Sequence, residues 1–310
     1  MISQRGLSAV AVAVLTAACG APSPSTPSAN SPSTDLWFAT VDLPAYLDCA
    51  RERGVTLIQA HRAGDRPGAA ENSLGAIEAS LNDGAVFIEM DVASTADGVL
   101  VLMHDRTVDR TTTGVGPVSE MTYADFSELR LRDVDGAVLN EAPPTLDAAL
   151  AALDGRGVAQ IDRKGDVSFD EIAQALETAD AVDRAVVITY TLDDAITLHQ
   201  RLPGVVLSAG LDDLEELTTL TEAGVATERI SAWLGLGTGD PAFDAALATR
   251  GIETSYGDFR AEREGVIDYA LMASNGAEVI SVDDVPAAAD VLDAGATARA
   301  LLETCDAARG

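Results

Sequence analysis

Residues 158–178 read VAQIDRKGDVSFDEIAQALET. Val158–Lys164 is a short run led by Val and Ile, and Phe169–Thr178 repeats apolar side chains at the spacing of one helix face. A strand followed by an amphipathic helix is the building unit of parallel sheets. The same rhythm runs in both directions, from Val55 to about Asp293. The other strand candidates are Thr56–His61, Val86–Val92, Ala185–Thr191, Val205–Leu211, Arg229–Gly235, Ile252–Asp258 and Ala277–Asp283. Helical patterns such as Asp212–Ala223 and Asp240–Thr249 lie between them. Eight such units in about 240 residues match an α/β fold of the (β/α)8 TIM-barrel class. An open doubly wound sheet is the rival, but no Gly-rich dinucleotide loop follows the first strand.

Val99–His104 breaks the alternation. Only Ala93–Gly98 separates it from the second strand, too few residues for a helical crossover. Asp97-Gly98 is a two-residue hairpin turn signal. A turn centred there pairs residue i with 195 − i, which sets Asp91 opposite His104. The expectation is a hairpin arm after the second strand, followed by a small insertion over about 105–144. The alternative makes Val99–His104 a barrel strand and places one of the other runs outside the barrel.

Of 310 residues, 50 are acidic and 20 basic, a formal charge of −30. Such a surface repels nucleic acid and anionic headgroups, so neither a nucleic-acid partner nor a polybasic membrane contact is expected. Lys164 is the sole lysine, and the histidines are His61, His104 and His199. Met1–Arg5 is positive, Gly6–Ala18 is small and apolar, and Cys19 follows at once. That run is too short to span a bilayer and reads as a cleaved signal over residues 1–18. It resembles a bacterial lipoprotein signal, with Cys19 lipidated and residues 19–34 a Pro/Ser tether; ordinary secretory cleavage is the alternative. The expected localisation is the bacterial cell envelope, anchored on its periplasmic or extracellular face. Residues 35–54 then form an N-terminal extension and 55–310 the barrel domain.

Barrel enzymes carry their chemistry at the C-terminal ends of the strands. His61 ends the first strand, Glu89 and Asp91 lie two apart near the end of the second, and Asp162 and Lys164 repeat that spacing on the third. His104 ends the arm. Clustered carboxylates call for a hard cation, Mg²⁺ or Ca²⁺, and two histidines supply a general acid and a general base. Arg62 and Lys164 provide positive charge for a phosphate in a very acidic chain. The set reads as metal-assisted cleavage of a small-molecule phosphodiester.

The ordered motifs His61-Arg62, Glu71-Asn72-Ser73, Ile88-Glu89-Met90-Asp91-Val92, Asp97-Gly98, His104-Asp105 and Asp109-Arg110-Thr111-Thr112 resemble the glycerophosphodiester phosphodiesterase family. The stretch Gly276–Pro286 is similar to that family's last strand and following Pro. The resemblance implies a (β/α)8 barrel that hydrolyses glycerophosphodiesters to glycerol 3-phosphate and an alcohol with a divalent metal. It implies His61 and His104 as the acid/base pair, Arg62 as a phosphate contact, and Glu89 and Asp91 as metal ligands. Asp162 stands where the family usually has a third metal-binding Glu, and Glu71 is a further carboxylate near the metal. Ala63 delays the glycine that usually follows His-Arg, and Ser255-Tyr256-Gly257 replaces an expected Trp-Thr pair. A phosphodiesterase acting on lysophospholipid or sphingolipid headgroups, and a non-catalytic lipid-anchored binding barrel, remain as alternatives.

Two lesser readings complete the set. Asp283 and Asp284 read as helix-start residues before Pro286 rather than rim ligands. Cys49, in the helical pattern Pro44–Arg53, and Cys305, in Ala296–Ala308, flank the first and last strands, which are neighbours in a closed barrel. An exported compartment then favours a disulfide between them over two buried free thiols.

Overall fold

The computed structural model describes Met1 and residues 41–305. Expectations for residues 1–18, Cys19 and the tether lie outside the described residues. Nine strands follow in order: β1 Leu57–Ala60, β2 Phe87–Ser94, β3 Leu100–Leu102, β4 Val158–Arg163, β5 Ala185–Thr189, β6 Val206–Gly210, β7 Ile230–Leu236, β8 Glu253–Gly257 and β9 Val279–Val282. All pairings are parallel except β2–β3. The order β1-β9-β8-β7-β6-β5-β4-β2 closes through a β1–β2 pairing, so eight strands form the barrel and β3 lies outside it. The eight expected runs are these eight strands, and Val99–His104 contributes the arm.

Period-two alternation sorts the barrel strands into layers. Ile58, Ile88, Met90, Ile161 and Val187 face outward into the main core with the surrounding helices. Leu57, Phe87, Val158, Val186, Val206 and Val279 make an apolar floor. That floor is sealed by Leu43, Tyr46, Leu47 and Ala50 of the helix Leu43–Arg53 and by Leu301 and Leu302 of the helix Ala294–Thr304. Two residues further along each strand, Gln59, Glu89, Gln160, Ser208 and Ser281 line a cavity. One more step brings His61, Asp91, Asp162 and Tyr190 to the rim. The Cys49–Cys305 disulfide joins the two sealing helices, with Cα atoms 6.3 Å apart.

Part of the acidic excess caps helices. Asp213, Asp240, Asp258, Asp268 and Asp284 each accept backbone N–H bonds at a helix start, which satisfies donors that have no intrahelical partner.

The arm differs from expectation in its register. Pairs Val92–Leu102, Ala93–Val101 and Ser94–Leu100 follow 194 − i, not 195 − i. Thr95 and Val99 bracket a three-residue loop, Ala96-Asp97-Gly98, with Gly98 at φ 81°. Such loops end in a left-handed residue, and here the extra residue shifts every pair by one. Met103, not His104, therefore stands opposite Asp91, its N–H donating to the Asp91 carbonyl at 2.9 Å. His104 reaches the site from the segment beyond β3. The insertion packs its own small core, Val108, Val118 and Phe126, against Val101 and Met103.

Candidate active site

Glu89, Asp91 and Asp162 come together as expected. One oxygen from each lies within 4.8 Å of the others, and all three residues are buried. The β2–β4 register places Asp91 beside Asp162, so two adjacent strands supply the cluster. Burial first, then the Asp91 charge, pushes the Glu89 carboxyl well above the usual carboxylate range. The Arg62 backbone N–H, 2.7 Å from Glu89 Oε2, pulls the other way. Arg62 and Ala63 both adopt left-handed backbone, at φ 51° and 66°, which turns that N–H onto Glu89. Asn72, also left-handed, grips Asp91 twice: its Nδ2 donates to Oδ2 at 2.7 Å and its Oδ1 accepts the Asp91 N–H at 2.9 Å.

Lys164 bridges Asp91, at 2.9 Å, and Asp162. Burial disfavours its charge, but Asp91 and Asp162 outweigh that and raise its pKa above the ordinary lysine value. Tyr190 donates to Asp162 Oδ2 at 2.6 Å. The other oxygen, Oδ1, is buried with no hydrogen-bond partner. An orphaned carboxylate oxygen beside two further buried carboxylates is a donor set suited to Mg²⁺ or Ca²⁺, which take hard oxygen ligands. Asp162, though shorter than Glu, reaches this cluster.

The two histidines flank the carboxylates, each held by an aspartate. His61 Nδ1 lies 2.7 Å from Asp283 Oδ1, and its ring stacks on Phe259 with centroids 4.1 Å apart. His104 Nδ1 lies 2.8 Å from Asp105 Oδ1, while its Nε2 lies 2.9 Å from Arg62 Nη2. Asp105 is gripped by Arg110, which with His104 lowers its pKa to about 2. Both Glu71 oxygens accept from Arg110, at 2.6 and 2.7 Å, and Oε2 also meets Arg62 at 3.4 Å. Glu71 is thus spent on arginines, outside the three-carboxylate cluster. Arg62, besides facing the site, links His104 to Glu71.

Sequence reading missed several partners. Of the pair read as helix-start residues, Asp284 caps the helix Val285–Leu292, but Asp283 orients His61. The signal was present: Asp283 lies two residues past Ser281, on the inward face at a strand end. Arg110 and Asn72 stood in quoted motifs without roles. Trp233 lines the cavity with Tyr190 and Phe259.

Residues 61–197 match the sequence profile of the Glycerophosphoryl diester phosphodiesterase family. The match spans less than half of this chain, and over that stretch the chain is similar to that family. Glycerophosphodiester phosphodiesterase 1 of Bos taurus is 33% identical over 167 residues, which cover 52% of this chain and 47% of the relative. The chain thus spans about half the length of the curated relatives it matches first. Among solved structures, a glycerophosphoryl diester phosphodiesterase from Parabacteroides distasonis matches with a TM-score of 0.75 at 23% identity, covering 83% of this chain and 93% of its own. A glycerophosphodiester phosphodiesterase from Agrobacterium tumefaciens matches with a TM-score of 0.64 at 26% identity, covering 76% and 100%. The family match begins at His61 and ends in the helix Leu192–Arg201, so it contains every site residue above except Gln59, Ser208, Trp233, Phe259, Ser281 and Asp283.

Proposed function

We propose that the protein is a divalent-cation-dependent phosphodiesterase that hydrolyses glycerophosphodiesters to glycerol 3-phosphate and an alcohol. The observation that carries this reading is three buried, converging carboxylates flanked by two histidines, each oriented by its own aspartate. The names of the curated relatives support the substrate class.

Glu89, Asp91 and Asp162 would hold the cation, Mg²⁺ or Ca²⁺, which polarises phosphoryl oxygens when bound. Arg62 and Lys164 bind the phosphate and offset the charge that grows on it. A guanidinium can only donate, so His104 Nε2 accepts from Arg62 and His104 Nδ1–H donates to Asp105. Once Arg62 turns to the phosphate, that tautomer presents the Nε2 lone pair to the site, the form of a general base. His61 Nδ1 bonds the Asp283 carboxylate, which holds its ring at the site for the complementary role of general acid. His104 takes the proton of the attacking hydroxyl, from water or the glycerol arm, as its oxygen bonds phosphorus. The bond to the leaving alcohol breaks, and that oxygen takes its proton from His61. Where the glycerol hydroxyl attacks, water then opens the cyclic ester with the two roles reversed.

Release of glycerol 3-phosphate from glycerophosphocholine tests the reading. Chelator is expected to abolish release and Mg²⁺ or Ca²⁺ to restore it. Replacing either histidine by Ala should cost on the order of 10²–10⁴ in turnover. Full activity in a chelated, metal-free preparation sinks the mechanism.

The proposed location is the bacterial cell envelope, through lipid on Cys19, supported by the apolar segment, the cysteine and the tether. Mass spectrometry of the native N-terminus decides it: an unmodified start beyond Cys19 refutes the anchor.

A further inference from the structure

The three clustered carboxylates do not offer their oxygens equally. Glu89 Oε2 takes the Arg62 N–H, Asp91 Oδ2 takes Asn72 Nδ2, and Asp91 Oδ1 takes Lys164. Each of these oxygens has one donor. A carboxylate oxygen carries two lone pairs, so each keeps one for a cation. Asp162 is divided differently. Its Oδ2 receives two donors, Lys164 Nζ and the Tyr190 hydroxyl at 2.6 Å, and is saturated. Its Oδ1 is buried and receives none.

Tyr190 is what completes that division. It follows β5 by one residue and stands at the rim with its ring 66% exposed, while its hydroxyl turns inward to Asp162. Without that hydroxyl, Lys164 alone would leave one lone pair of Oδ2 free, and both oxygens of Asp162 would be open to the same cation. A phenol is also neutral. It fills the lone pair without adding a positive charge that would repel the ion, as a second lysine would.

The number of oxygens that a carboxylate can give bears on the choice of ion. Ca²⁺ takes about six to eight oxygens in flexible geometry and accepts both oxygens of one carboxylate. Mg²⁺ demands near-ideal octahedral geometry, which the narrow bite of a two-oxygen carboxylate distorts, and it keeps several waters. The cavity around these groups, about 280 Å³, has room for such waters and for a phosphate.

We infer that Tyr190 sets the choice of cation: by filling Oδ2 it confines Asp162 to ligation through Oδ1 alone, and so disfavours Ca²⁺ relative to Mg²⁺. The inference rests on the reading that Glu89, Asp91 and Asp162 hold a divalent cation. It makes Tyr190 a positioning residue that acts through Asp162.

Tyr190→Phe keeps the ring and removes the hydroxyl. Calorimetric titration of the cation-free proteins with Mg²⁺, and separately with Ca²⁺, gives the ratio of the two dissociation constants for wild type and variant. In the variant that ratio is expected to move toward Ca²⁺ on the order of tenfold, the size of one hydrogen bond to a charged group. A loosened fold weakens both cations alike and leaves the ratio where it was. A ratio within about twofold of wild type, a move toward Mg²⁺, or loss of both cations in the variant therefore overturns the inference. Thermal melts of the cation-free proteins confirm folding, which the exposed position of the ring favours. A wild type that binds neither cation takes down the cation reading and the inference together, whereas a wild type that binds, with the ratio unmoved in the variant, takes down the inference alone.

Discussion

Arg110→Gln tests how the site is held. Arg110 closes a ring that runs from Glu71 through Arg110, Asp105, His104 and Arg62 back to Glu71. Glutamine keeps a donor but cannot span two carboxylates. The Asp105 pKa of about 2 would return toward its ordinary value, worth roughly 2.5 kcal/mol at face value. Solvent reaches both partners, so screening brings that to about 1 kcal/mol. This share is present above pH about 4 and is lost in the wild type as pH falls toward 2. Glu71 is buried, and severing a buried ion pair costs about 3–5 kcal/mol; Arg62 remains beside it and Arg110 is 48% exposed, so about 1–2 applies. The sum, about 2–3 kcal/mol, lowers the melting temperature by roughly 5–10 °C. With Asp105 no longer fixed, kcat should fall about 10–100-fold, less than for deletion of His104. Steady-state kinetics on bis(p-nitrophenyl) phosphate and thermal melts read both effects. In a cycle with Asp105→Asn the kcat losses should be strongly non-additive. A variant within twofold in kcat and 1 °C in melting temperature, or strictly additive losses in the cycle, would refute the ring as a positioning device.

Three further outcomes are expected. Asp162→Asn should reduce the thermal stabilisation conferred by Mg²⁺ or Ca²⁺, while Asp162→Glu should retain it; equal cation-induced shifts in Asp162→Asn and wild type would exclude Asp162 as a ligand. The Cys49–Cys305 bond closes a loop of 256 residues in sequence separation, so Cys305→Ser should cost about 2–4 kcal/mol in urea unfolding, and thiol titration of denatured, unreduced wild type should find neither cysteine. Glu278, beneath the barrel, is raised to about 7 by burial first, against bonds from Thr254. A raised carboxyl stabilises the fold below its unfolded value and loses that contribution as pH rises through 7, roughly 3 kcal/mol in all. Urea midpoints of Glu278→Gln should therefore fall less between pH 5 and 8.5 than those of wild type, and parallel curves would contradict the burial argument.

The strand–helix rhythm was legible in the residues because alternation and helical spacing are local properties. So was the chemistry of the rim: a period of two puts Glu89 with Asp91, and Asp162 with Lys164, on the inward face at strand ends. The arm was legible as a hairpin but not in its register, because one left-handed residue in the turn, Gly98, moves every pair and local composition does not count loop residues. Partners were the least legible. His61 and Asp283 are 222 residues apart and meet only because β1 pairs with β9 when the barrel closes. Arg110 reaches Glu71 across the insertion, 39 residues back along the chain. Which side chains face inward is decided by nearest neighbours along the strand, whereas which of them touch is decided by closure of the sheet, a constraint that no single segment carries.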